Sequence, residues 1–166
     1  AEDMKDVVSG KIVICDTVEE ATHADALITV TQAHEPFLTA EMIKPGTVVF
    51  PMGSYKEVTD DVILNSDAIV VDHIGQALHR GAMKQLAADG KITIDNITAT
   101  IGELVNGDKE IEDISNKRVL CSPIGMGCMD VALAYVAYVR AKERHIGVEF
   151  DFSGESYASE MPERLL

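Results

Sequence analysis

The apolar positions of this chain come in short unbroken runs. "GKIVICD" (10–16), "DALITVT" (25–31), "TVVFPMG" (47–53), "DAIVVDH" (67–73) and "KRVLCSP" (117–123) are rich in Val and Ile and lack the strict alternation of a half-exposed sheet. Such runs predict strands buried on both faces. Helical signals separate them. In "TVEEATHA" (17–24), Thr17 is placed as an N-cap and Glu20 at the third helical position, a capping box. "TAEMIKPG" (39–46) reads as a short helix stopped by Pro45, and "EVTDDVILNS" (57–66) as a second. "IGQALHRGAMKQLAADG" (74–90) has helical spacing and a C-cap at Gly90, and "ATIGELVNGD" (99–108) is a short helix with a glycine exit. Residues 123–147 open on a glycine-studded turn and run into a long apolar helix. Strands alternating with helices predict an α/β fold: a parallel sheet with helices on both faces and right-handed crossovers.

Composition narrows the function classes. With 166 residues the chain suits one domain, and 46% hydrophobic against 25% charged residues is enough to build a core. The formal net charge of −14 argues against nucleic-acid partners, because phosphate backbones would be repelled. No apolar run approaches the roughly 20 residues of a membrane helix. Cys15, Cys121 and Cys128 are odd in number and form no CxxC pair, which fits reduced thiols and a cytoplasmic location. The closing "DFSGESYASEMPERLL" is polar and acidic and is expected to lie over the surface or on a partner.

In open α/β sheets, ligands bind beyond the carboxyl ends of the strands. Three such ends carry small or hydroxylated residues: "TVTQAHE" with Thr29, Thr31, Gln32, His34 and Glu35; "PMGSY" with Gly53, Ser54 and Tyr55; and "CSPIGMG" with Ser122, Gly125 and Gly127. If the strands are neighbours, the loops form one rim of a crevice; taken singly, each is also an ordinary turn. His34 is open between acid, base and surface roles. Asp130 is either a first-turn acid favoured by the helix dipole or a group reaching the crevice. His73 and His79 are six residues apart, on different helical faces, and no cluster has metal-ligand spacing. No GxGxxG fingerprint occurs; "GMGC" carries only part of one.

"ADALITVTQAHEPFL", "IKPGTVVFPMGSY", "DDVILNSDAIVVDH", "ALHRGAMKQL", "IGELVNGDKE" and "PIGMGCMDVALAYVAYVRAKERHIGVEFDF", in this order and spacing, resemble the ornithine cyclodeaminase/μ-crystallin family over roughly residues 10–152. The resemblance implies a Rossmann-like cofactor domain over 10–152, incomplete at its N-terminal side, with 153–166 as a tail. It implies NAD or NADP as cofactor and a small amino or imino acid as substrate, with no nucleic-acid or membrane partner. A homo-oligomer, or a second chain supplying the missing half, is expected. Thr29, Thr31 and Gln32 would border the nicotinamide, Gly53, Ser54 and Tyr55 would form the next wall, and Ser122, Pro123 and Gly125 would close over it. Asp130 matches an acidic position of the family's closing block, and the helix behind the glycine turn is expected to be mostly core.

Two departures refine this. Cyclodeaminases of the family carry an acidic catalytic residue just after the strand that here ends in "MGSY". No aspartate stands there, which favours a ketimine reductase or amino-acid dehydrogenase over a cyclodeaminase-like lyase. Pro123 replaces the family's usual serine, with Ser122 next door. A non-catalytic NAD(P)H-binding or interaction subunit is the alternative.

Overall fold

The computed structural model describes residues 2–53 and 56–148; Ser54, Tyr55 and the acidic tail over 153–166 lie outside the described residues. Five strands form one parallel sheet: β1 (Ala26–Thr29), β2 (Val48–Pro51), β3 (Ala68–Val71), β4 (Ala99–Thr100) and β5 (Val119–Cys121). Their spatial order is β1-β2-β5-β3-β4. The arrangement is a Rossmann-like α/β sheet, as the alternating pattern predicts. β3 and β5, in the middle, are buried at every residue, which explains their unbroken apolar runs. Leu38, Ile63, Met83, Leu86 and Leu120 are the large side chains that fill the core beside them.

The helices are short: α1 (Val18–Ala21), α2 (Asp60–Leu64), α3 (Ile74–Ala77), α4 (Lys84–Ala88) and α5 (Ile101–Asn106). Caps decide where they begin. Thr17 Oγ1 accepts from Glu20 N at 3.2 Å, the N-cap expected, but the Glu20 carboxylate reaches Asp16 N rather than closing the box on Thr17. Thr100 and Glu103 form a complete capping box on α5, and Gly107 ends it in the left-handed region.

Four expectations are corrected. The run 10–16 forms no strand, and Val13 and Ile14 are exposed. A strand needs a ladder partner, and the run pairs with no strand among the described residues. The stretch 39–46 yields only a 3-10 turn, Ala40–Met42. The pattern over 74–90 is not one helix: it breaks between α3 and α4, where Gly81 adopts φ +67°. Strand β4, too short for a pattern to reveal, pairs with β3 at the sheet edge.

The described residues fall into two units, one through Met126 and one from Gly127. The second contains α6 (Gly127–Glu143). The expectation that this helix is mostly core is also corrected, because no residue of α6 is buried. Its apolar residues, Val131, Leu133 and Tyr135 among them, are exposed.

Candidate functional site

The strand order places β1, β2 and β5 side by side, all pointing the same way. The three loops singled out in the sequence therefore follow adjacent strands at one carboxyl edge. A ladder bond from Met52 N to Thr29 O (2.9 Å) extends the pairing into the first two loops.

A residue that the sequence pattern did not single out organises that edge. Glu57 is fully buried. Its carboxylate accepts from Thr29 Oγ1 (2.6 Å), Thr31 N (2.5 Å) and Gly53 N (3.1 Å). Its own carbonyl accepts from Phe37 N and Leu38 N. One side chain thus joins the loop after β1 to the loop after β2. Burial alone would push the Glu57 pKa up, but the donors from Thr29, Thr31 and Gly53 outweigh it and hold the pKa below the usual carboxylate value. Gly53 permits the approach: a Cβ there would lie 2.6 Å from the Glu57 carboxyl carbon. In the sequence Glu57 reads as the first residue of a helix. The available signal was an acid four residues after a glycine turn and next to an apolar Val58.

Asp72 does the equivalent work on the other side. At the end of β3, its Oδ2 accepts from Ile124 N (2.9 Å) and Gly125 N (2.6 Å), and its Oδ1 from His73 N (2.8 Å). The glycine turn after β5 is thereby pinned to β3, so the N–H of Gly125 bonds to protein. The N-cap of α3 is His73, whose Nδ1 accepts from Gln76 N.

Between these clamps lies a cavity of about 410 Å³, lined by residues 51–53, 79–82, 84 and 122–124. It brings together Gly53, Ser122 and Pro123. Thr29 and Thr31 line a second hollow, of about 810 Å³, along the free side of β1. Gln32 and His34 are exposed in the loop after β1. Asp130 is exposed in the first turn of α6, in the second unit. Among the described residues no group of His, Cys, Asp and Glu is placed to hold a metal ion. Burial, and then the charge of Asp72, push the Cys121 thiol pKa up, so it is no activated nucleophile.

Fold and site together define a Rossmann-like α/β domain with a cavity at the carboxyl edge of its sheet. Residues 1–145 match the model of the ornithine cyclodeaminase/mu-crystallin family, and the chain belongs to that family. It is 32% identical over 137 residues to the alanine dehydrogenase of Archaeoglobus fulgidus, covering 81% of this chain and 42% of that protein. It is 31% identical over 143 residues to the ketimine reductase mu-crystallin of Mus musculus, covering 83% and 43%. The solved Delta(1)-pyrroline-2-carboxylate reductase of Thermococcus litoralis, in complex with NADH and L-proline, superposes with a TM-score of 0.74 at 26% identity, over 82% of this chain and 44% of that one. The chain spans less than half the length of these relatives.

Proposed function

We propose that this chain supplies the nicotinamide side of the cofactor domain of an NAD(P)-dependent oxidoreductase acting on amino or imino acids. The type is a ketimine reductase or amino-acid dehydrogenase. The observation that carries the reading is the juxtaposition of the loops after β1, β2 and β5 at one carboxyl edge, in a family with a relative solved with NADH and L-proline.

The residues present fit one end of such a cofactor. Gly53 and Ser122 are small and line the cavity, so a flat ring can approach the backbone there. A GxGxxG run for the pyrophosphate does not occur in the 166 residues. When bound, the nicotinamide supplies or accepts the hydride exchanged with the α-carbon of the substrate. This chain's own residues set the geometry. Glu57 holds Thr29, Thr31 and Gly53 in one arrangement, and Asp72 holds the turn that carries Pro123 and Gly125. Gln32, Ser54, Tyr55 and Asp130 are assigned to the cofactor surroundings by family position. A preorganised edge of this kind favours transfer by orientation.

Association is part of the proposal. Among the described residues β1 pairs on one side only, and Ile28 and Val30 beside its other edge are exposed, which supports a further chain or segment there. Free cysteines, two of them exposed, support a reducing, cytoplasmic location. No helix among the described residues is long and apolar enough to cross a membrane. The second reading, a non-catalytic NAD(P)H-binding or interaction subunit, draws on α6, a 17-residue helix with no buried residue that suits a partner surface.

Titration with NADH and NADPH, followed by cofactor fluorescence, tests the proposal. Micromolar binding is expected, with reduction of cyclic imino acids once the whole protein is assembled. Binding without turnover in that assembly favours the second reading, and no binding at millimolar cofactor removes both.

A further inference from the structure

We propose that the buried charge of Glu57 discriminates between the two redox forms of the nicotinamide, favouring the cationic oxidised ring over the neutral reduced one. The inference rests on the oxidoreductase reading above and adds a specificity-determining residue to it.

Among the described residues, Glu57 is the single charged side chain that is buried. Its carboxylate accepts from neutral donors: the Thr29 hydroxyl and the N–H groups of Thr31 and Gly53. No ion pair among the described residues involves it, and the neighbouring Lys56 is paired with Asp60. The donors hold its pKa below the ordinary carboxylate value, so the group is ionised at neutral pH. Its negative charge is therefore oriented but not cancelled. Burying an ion without a counter-ion is unfavourable, and a cationic ligand group bound nearby relieves that cost.

The charge stands at the cavity wall. Gly53 lines the 410 Å³ cavity, and a Cβ there would meet both the carboxyl carbon and Oε2 of Glu57 at 2.6 Å. The carboxylate is thus one glycine behind a wall that a flat ring can approach. The other charges near the cavity are placed differently. His79, Arg80 and Lys84 line it but are exposed, so water and salt screen them. Asp72 is only partly buried and is turned to the N–H groups of His73, Ile124 and Gly125.

NAD+ and NADH differ by one positive charge on the nicotinamide ring. At an effective dielectric of about 20, a unit charge within roughly 10 Å changes an equilibrium between a charged and a neutral form by roughly ten-fold. Tighter binding of the cationic form makes the bound couple more reducing, and a ten-fold preference lowers its potential by about 30 mV. Bound NADH is then the better hydride donor, which suits the reduction of an imino acid.

NAD+, NADH and ADP-ribose are the probes, together with an uncharged isostere of NAD+ that carries benzamide in place of nicotinamide, each titrated calorimetrically into the whole protein. NAD+ is expected to bind about ten-fold more tightly than the isostere. That comparison is made on the unaltered protein, so it decides the matter even if a variant fails to fold. Glu57→Gln should bring the ratio close to one, move the NAD+ to NADH preference by the same factor towards NADH, and leave the affinity for ADP-ribose, which has no ring to sense the charge, unchanged. Glu57→Asp, which keeps the charge, should retain most of the preference. Equal binding of NAD+ and the isostere by the unaltered protein overturns this inference and leaves the oxidoreductase reading standing. Loss of affinity for all four probes by the same factor in Glu57→Gln also overturns it, because Glu57 is then only a brace. Binding of none of the four removes the oxidoreductase reading and this inference with it.

Discussion

Strands β1 and β3 are four residues each and similar in composition, yet their surroundings differ completely. Ala68–Val71 of β3 is buried throughout; of Ala26–Thr29 in β1, only Leu27 is buried. β3 lies between β5 and β4, whereas β1 pairs, among the described residues, with β2 alone. Ile28 and Val30 are 68% and 70% exposed, and they border the 810 Å³ hollow together with Val13. Burial in a parallel sheet is thus a property of the neighbours, and an apolar strand without a second neighbour keeps an apolar edge. The interior side of this molecule is packed and satisfied, and the β1 side is open.

Substitutions can break that contrast. The largest effect is expected at Glu57, where the two sides are joined. Glu57→Ala leaves Thr31 N, Gly53 N and the Thr29 hydroxyl without an acceptor, and about 4 kcal/mol of stability should be lost. Urea unfolding measures this, and a loss under about 1 kcal/mol would show that the carboxylate holds nothing together. Leu120→Ala, at a fully buried position of β5, should cost about 3 kcal/mol in the same assay. Ile28→Ala on the open side should change stability by less than about 0.5 kcal/mol. Equal costs at the two positions would mean that β1 is covered by something further.

Gly81→Ala should cost about 1–2 kcal/mol, because alanine at φ +67° is strained and its Cβ would displace Ile124. Acid sharpens the contrast in another way. Glu57 has a folded pKa below its ordinary value of 4.5, so the stability it contributes is present above about pH 4.5 and lost as pH falls through the folded pKa. Glu57→Gln should remove that part of the acid-side loss, and a parallel pH profile for the variant would count against the assignment. The smallest effect is kinetic. Cys15 and Cys128 are exposed, and Cys121 is buried with a raised pKa, so a thiol reagent near pH 8 should label two cysteines quickly and the third only on unfolding.

Much of this architecture is legible in the chain itself. The runs around Val70 and Leu120 are apolar because those strands are sandwiched, and Thr17 and Thr100 begin helices because their hydroxyls accept free N–H groups. The three candidate loops are visible as glycine and hydroxyl residues placed just after apolar runs. Where local pattern and partner disagree, the pattern misleads. Residues 12–14 have the apolar character of a strand and no ladder to join. The helical spacing over 74–90 does not register the turn at Gly81, because periodicity counts side chains and not backbone angles.

Amino-acid order by itself therefore determined which segments could be buried, where helices start, and that the chain is acidic, parallel-sheeted and of this family. Tertiary structure decided which strands are neighbours, and so which loops meet. It also turned Glu57 and Asp72 into clamps and set Arg80 and Lys84 around one cavity. The physical reason is that hydrophobicity and capping act over a few residues of chain. A hydrogen bond such as that from Gly125 N to Asp72 joins positions 53 residues apart, and only the folded sheet brings them together.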